Sequence, residues 1–140
     1  MTAIVDAGPL VCIKTPSPDA ALMMAALRGE PGLLIIPAPV TAEVDYLLSS
    51  QAGDDAARAF LEDISAGRFV VECLTPDEYG TVLELSRRYR HLRPGLADLS
   101  IVVLAHRFGT HRVLTIDQRH FRAMTALDGL PFTLLPWDEQ

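Results

Sequence analysis

Ala3-Ile4-Val5-Asp6 decides how this chain is read: a short, β-rich apolar run that stops on a carboxylate. Similar runs follow it. Leu33-Leu34-Ile35-Ile36 is bounded by Pro37 and Pro39, and Phe69-Val70-Val71-Glu72-Cys73 comes after Gly67. The stretch 112–116 leads directly into Asp117, and Phe132-Thr133-Leu134-Leu135 closes the set. These are continuous apolar runs rather than alternating ones, which predicts strands covered on both faces in a parallel sheet. Helical stretches separate them. Ser17-Pro18-Asp19 reads as an N-cap with proline at the first helical position, opening a helix over 20–28 that stops at Gly29-Glu30-Pro31-Gly32. Helices are expected over 40–50 and 54–66. Thr75-Pro76-Asp77-Glu78 is a capping box that opens a helix to about residue 90. Another runs over 96–108, closed by Gly109. Strands alternating with helices along the whole chain predict an α/β fold, a three-layer α/β/α sandwich, as one domain over residues 1–140.

Composition narrows the function. At 140 residues and 49% hydrophobic, the chain buries a core without a metal or disulfide staple. Cys12 and Cys73 form no disulfide framework, and no Cys/His spacing suits a structural zinc; both are expected to be buried thiols in a reducing cytoplasm. The N-terminus has no basic region before its apolar stretch, so no signal peptide is expected. The longest uninterrupted apolar run, 20–27, is far shorter than the ~18 residues of a membrane span. A net charge of −6 argues against a general nucleic-acid coat. GxGxxG, GxxxxGK[ST] and GxSxG are all missing, which removes a dinucleotide site, a P-loop and a nucleophile elbow. The single lysine, Lys14, sits too early for a receiver-type phosphoaspartate site.

The carboxylates carry the chemistry. Ligand sites of open parallel sheets form beyond the carboxyl ends of the strands, where Asp6 and Asp117 fall; each taken singly also reads as a turn residue. On a helical wheel Val40, Val44, Leu47 and Leu48 make one arc. Glu43 lies at its edge facing inward, and Asp45 faces water. In the later helix Asp98 lies within the arc of Ile101, Val102, Leu104, Ala105 and Phe108, with Ser100 and Arg107 opposite. Asp98 also reads as a first-turn acid serving the helix dipole. If the four acids converge about 5 Å apart, their repulsion amounts to several kcal/mol even at an effective dielectric near 20, and the cluster must protonate or bind a cation. All-oxygen ligands suit Mg²⁺ or Mn²⁺. Such an ion activates water and stabilises a phosphodiester under in-line attack, so no lysine, cysteine or serine nucleophile is required.

Four motifs in order resemble the PIN-domain proteins of the VapC toxin type, the ribonuclease halves of type II toxin–antitoxin pairs. They are Ile4-Val5-Asp6-Ala7-Gly8-Pro9-Leu10, Pro39-Val40-Thr41-Ala42-Glu43-Val44, Gly95-Leu96-Ala97-Asp98-Leu99-Ser100-Ile101-Val102 and Val113-Leu114-Thr115-Ile116-Asp117-Gln118-Arg119-His120-Phe121. The resemblance implies a five-stranded parallel sheet of order 3-2-1-4-5, which sets strands one and four side by side. It implies a metal-dependent endoribonuclease with Asp6, Glu43, Asp98 and Asp117 as catalytic ligands of Mg²⁺ or Mn²⁺. Thr115 would orient a carboxylate or a water. The implied partners are an RNA substrate (tRNA or rRNA), a VapB-type antitoxin and a second copy in a homodimer. Two departures stand out. Ala7-Gly8-Pro9 occupies the place of a hydroxyl in many relatives, leaving Ser100 or Thr115 to replace it. Gln118-Arg119-His120 lies where some relatives carry a further acid, which leaves the number of metals open.

Of eighteen acids, fourteen remain once the proposed ligands are set aside, against twelve cations. One run is basic: Arg87, Arg88, Arg90, His91 and Arg93. Arg112, Arg119 and Arg122 flank Asp117. Arg93, Arg112 and Arg119 are candidate RNA contacts; the run at 87–93 also reads as a helix C-terminus complementing its dipole. His120 is read as a surface or structural histidine, and Tyr89 and Trp137 as packing residues. The helices at 20–24 and 56–64 are candidate surfaces for an antitoxin or a second copy. Two rival functions stand beside the nuclease: a catalytically silent PIN-like module that only binds RNA or protein, and a metal-dependent phosphatase or DNase.

Overall fold

The structure is a computed structural model and describes residues 1–139. Five strands, β1 (Ala3–Val5), β2 (Leu34–Pro37), β3 (Val70–Glu72), β4 (Arg112–Leu114) and β5 (Thr133–Leu135), form one parallel sheet of order β3-β2-β1-β4-β5. Around it lie α1 (Ala7–Cys12), α2 (Ala20–Gly29), α3 (Ala38–Ala52), α4 (Asp54–Ser65), α5 (Pro76–Arg88), α6 (Leu96–Arg107) and α7 (Gln118–Ala123). Every residue of β1 is fully buried. Successive side chains of a strand point to opposite faces, so helices must cover both sides of the sheet at its centre. That is why the strands read as unbroken apolar runs.

The register prepares the site. Ile4 pairs with Ile35 on one side and Val113 on the other, and Val5 pairs with Leu114. The next step of the ladder brings the Asp6 N–H to the Leu114 carbonyl at 2.9 Å. Asp6 and Thr115 therefore leave the sheet side by side.

Several local expectations need correction. Two six-residue helices, α1 and α7, begin immediately after Asp6 and Asp117, which serve as their N-caps. Asp6 accepts from the Ala7 N–H at 2.8 Å and Asp117 from the Arg119 N–H at 3.1 Å. The turn-residue reading is thus also true of both acids. The N-cap position of the helix at 20 is Asp19, not Ser17, and its side chain makes no capping bond; Pro18 lies in the preceding turn, and the Ser17 hydroxyl accepts the Asp19 N–H. Helix α3 starts at Ala38 with proline in its first turn, where a missing N–H costs nothing. The capping box of α5 forms as read, with Glu78 N–H to Thr75 Oγ1 at 3.2 Å and Thr75 N–H to Glu78 Oε1 at 2.9 Å. Ser100 is fully buried rather than on an open face, because α3 and α5 both pack against α6. Cys12 is buried, but Cys73, just past β3, is exposed. Among the described residues no helix is long and apolar enough to cross a membrane.

Candidate active site

Asp6 ends β1, Glu43 lies in the first half of α3, Asp98 in the first turn of α6, and Asp117 between β4 and α7. Their carboxylates feel one another. Burial pushes the Asp6 carboxyl up to about 6, and the charges of Asp98 and Glu43 add to that rise. The Thr115 hydroxyl and the Ala7 N–H work in the opposite direction. Glu43 is raised by partial desolvation and by Asp98. Asp98 is raised by burial and by Asp117, and lowered by His120 and the Gly95 N–H. Four acids from four separate segments are thus linked through mutual repulsion.

Their exposures differ. Asp6 is buried, Asp98 half-buried, and Asp117 exposed. Glu43 is exposed too, which corrects the inward reading: Val40, Val44 and Leu48 take the buried face of α3, and Glu43 rides on its flank beside α6. Thr115 is fully buried and donates its hydroxyl to Asp6 Oδ2 at 2.7 Å, holding one lone pair of that carboxylate and fixing its plane. The Thr115 carbonyl in turn accepts the Trp137 ring N–H at 2.8 Å. Ser100 donates to the Ala97 carbonyl at 2.6 Å, a bond within its own helix.

His120 stands inside this group. Its Nδ1 is 3.4 Å from Asp98 Oδ2 and 3.8 Å from Asp117 Oδ2. The reading as a surface or structural histidine did not place it among the acids. The available signal was spacing: once a helix starts after Asp117, residue 120 lies one turn on and on the same face. Arg119 is exposed, its Nε 3.8 Å from Asp117. Arg93 is exposed on the connection before α6. Arg112 corrects an expectation, since it opens β4 at the end opposite Asp117 and is tied to Glu30 and Glu139. It is not available to RNA beside the acids. Arg122 is likewise held by Asp138.

The donor set suits a divalent ion. It is all oxygen and strongly anionic, and burial has raised the carboxyl of its innermost member to about 6. As the side chains stand, no three His, Cys, Asp or Glu residues among those described are drawn together closely enough to hold an ion. The fit is therefore one of donor chemistry. A 490 Å³ cavity at the start of β4, lined by Phe108, His111 and Arg112 among others, lies at the opposite, amino ends of the strands and contains none of the four acids.

Comparison with known proteins agrees with this arrangement. The PIN domain family profile matches residues 3–127. Ribonuclease VapC26 of Mycobacterium tuberculosis is 31% identical over 134 residues, spanning 95% of this chain and 99% of that one. Among solved structures, VapC20 of the same organism, a Sarcin-Ricin loop cleaving toxin, superposes with a TM-score of 0.78 at 16% identity, covering 84% and 91% of the two chains. VapBC2 from Rickettsia felis, bound to a DNA fragment from its promoter, gives a TM-score of 0.69 at 19% identity over 96% and 98%. With its strand order, its strand-end acids and a full-length ribonuclease relative in agreement, the chain belongs to the PIN-domain family, on its VapC branch.

Proposed function

We propose that this chain is a Mg²⁺- or Mn²⁺-dependent endoribonuclease, the toxin of a toxin–antitoxin pair, with Asp6, Glu43, Asp98 and Asp117 as the metal-holding residues. The observation that carries this reading is the placement of four acids from separate elements beyond the carboxyl ends of β1 and β4, where Asp98 and Glu43 raise Asp6, Asp98 raises Glu43 and Asp117 raises Asp98. The full-length ribonuclease relative supports the reaction class. A bound divalent ion supplies Lewis-acid stabilisation of the phosphoryl group and acidifies the attacking water. The protein supplies the rest. Thr115 and the Ala7 N–H hold the Asp6 carboxylate in one orientation. Helix caps fix Asp6 and Asp117 at the strand ends. His120 stands between Asp98 and Asp117 and orients them.

One structural relative cleaves the Sarcin-Ricin loop and another is a VapBC2 complex, which supports a structured RNA loop as substrate, in ribosomal RNA rather than transfer RNA by that likeness, and a VapB-type antitoxin as partner. A homodimer through the exposed sides of α2 and α4, which carry Leu22 and Leu61, is part of the same reading. The test is incubation of the pure protein with total RNA in Mn²⁺ and then in EDTA, with the cut sites mapped. Cleavage at defined loops that EDTA abolishes is expected. RNA binding without cleavage under any divalent ion favours the silent module, and cleavage confined to DNA or phosphomonoesters removes the ribonuclease.

A further inference from the structure

Seven of the twelve lysine and arginine side chains lie within ion-pair distance of a carboxylate among the described residues. Of the five that do not, only Arg28 lies elsewhere. Arg87, Arg88, Arg90 and Arg93 fall within seven residues, together with His91, on the last turn of α5 and the connection to α6. All five of these side chains are exposed. Glu84, one turn earlier on α5, is also exposed and pairs with none of them. In a chain of net charge −6, four of the five cations without a carboxylate partner among the described residues are thus concentrated on one short turn. A helix dipole accounts for basic residues in the last turn of α5, but not for those beyond it.

The turn is placed and held. Arg107 at the end of α6 reaches Glu78 at the start of α5, so the two helices run antiparallel and their other ends meet at this turn. Asp98 is in the first turn of α6, five residues after Arg93 and so at most about 18 Å along the chain from it. The Tyr89 hydroxyl accepts the Thr125 N–H at 3.3 Å, tying the turn to the segment that follows α7, the helix of His120. Arg93 has φ 51°, and it is the one non-glycine residue with positive φ among those described. A β-carbon disfavours that conformation, yet the turn keeps an arginine there.

We infer that the α5–α6 turn, through Arg87, Arg88, Arg90 and Arg93, is a docking arm for the phosphate backbone of the RNA. This rests on the ribonuclease reading above and adds the means of binding. A polyanion approaching Asp6, Glu43, Asp98 and Asp117 is repelled, and the arm supplies the opposing field at the rim. Guanidinium groups grip phosphate oxygens in a planar, two-pronged way that suits backbone contact without base reading.

The test measures binding apart from cleavage. A fluorescent RNA hairpin is titrated with the protein in EDTA, by anisotropy, across a KCl series starting at about 50 mM. Wild type is compared with R87Q/R88Q/R90Q/R93Q and with R28Q as a control, after melting curves show that each is folded. Each phosphate contact contributes about 0.7 to the slope of log affinity against log salt on a single strand, so the quadruple variant should lose about 3 from that slope, while R28Q loses none. Its affinity near 100 mM salt should fall by about tenfold or more. In Mn²⁺ it should keep kcat and show a raised KM. An unchanged slope overturns the arm, whether or not the protein cleaves RNA. So does a variant that binds RNA normally but loses an acidic antitoxin peptide, which would assign the turn to a protein partner. If wild type neither binds RNA in EDTA nor cleaves it in Mn²⁺, the ribonuclease reading fails along with the arm.

Discussion

Asp6 and Asp63 are equally buried, each 8% exposed, and have opposite surroundings. Asp63, on the last turns of α4, is met by Lys14 at 2.9 Å and by Arg68. Asp6, at the carboxyl end of the central strand β1, meets a hydroxyl, an N–H and two further acids. The same contrast runs along β4. Arg112 at its start is held by Glu30 and Glu139, while Thr115 just past its end serves an acid with no cation of its own. Burial of a carboxylate is thus ordinary in this protein when a cation is provided. Burial without one occurs where the site is. Withheld compensation, rather than burial or acidity, separates a structural acid from a candidate ligand.

The contrast can be broken by mutation. The largest effect expected is on activity: Asp6→Asn should lower Mn²⁺-dependent RNA cleavage by at least about 100-fold, whereas Asp63→Asn should leave kcat near wild type in a protein that is still folded. Initial rates on a mapped RNA substrate decide this. Retained activity in Asp6→Asn would end the distinction.

Stability should move in opposite directions. The folded pKa of Asp6 is raised from 3.8 to about 6, so its contribution is full below about pH 4 and is lost as pH rises through about 6. In EDTA near neutrality, Asp6→Asn should therefore be more stable than wild type by about 2–3 kcal/mol, an advantage that vanishes near pH 4. Asp63→Asn should be less stable by about 2 kcal/mol, below the usual cost of breaking a buried pair because Arg68 is largely exposed. Denaturant melts at two pH values give both signs.

Two smaller effects sharpen the comparison. His120→Ala should reduce cleavage by about 10-fold through looser placement of Asp98 and Asp117, and Mn²⁺ titration should show weaker binding. Mn²⁺ at ten times its Kd should stabilise wild type by about 1.4 kcal/mol and Asp98→Asn by less, read as a shift in melting temperature. An equal shift in both proteins would place the ion elsewhere.

Much of this was legible in the sequence. Burial on both faces showed in the apolar runs, and the strand-end positions of Asp6 and Asp117 followed from where those runs stop. The strand order came with the family resemblance. What escaped was of two kinds. Helices α1 and α7 are six residues long, too short to show a period, and α1 carries Gly8 and Pro9 in its first turns. Long-range partners were the other kind. A wheel gives the azimuth of Glu43 and Ser100 but not which neighbour covers or leaves open that side. Arg112 looked like a flank of Asp117 because only five residues separate them, yet a strand puts those residues at opposite ends. Its partner Glu30 lies 82 positions away, and no local pattern reveals that.

Trp137 is the one indole of the chain, and its N–H is fastened to the backbone of the residue that steadies Asp6. Its emission is therefore a native optical gauge of that corner of the molecule. Binding an ion among the acids, or discharging them, changes the field on the excited ring, so occupancy can be followed by intrinsic fluorescence, with no dye attached and no substrate consumed.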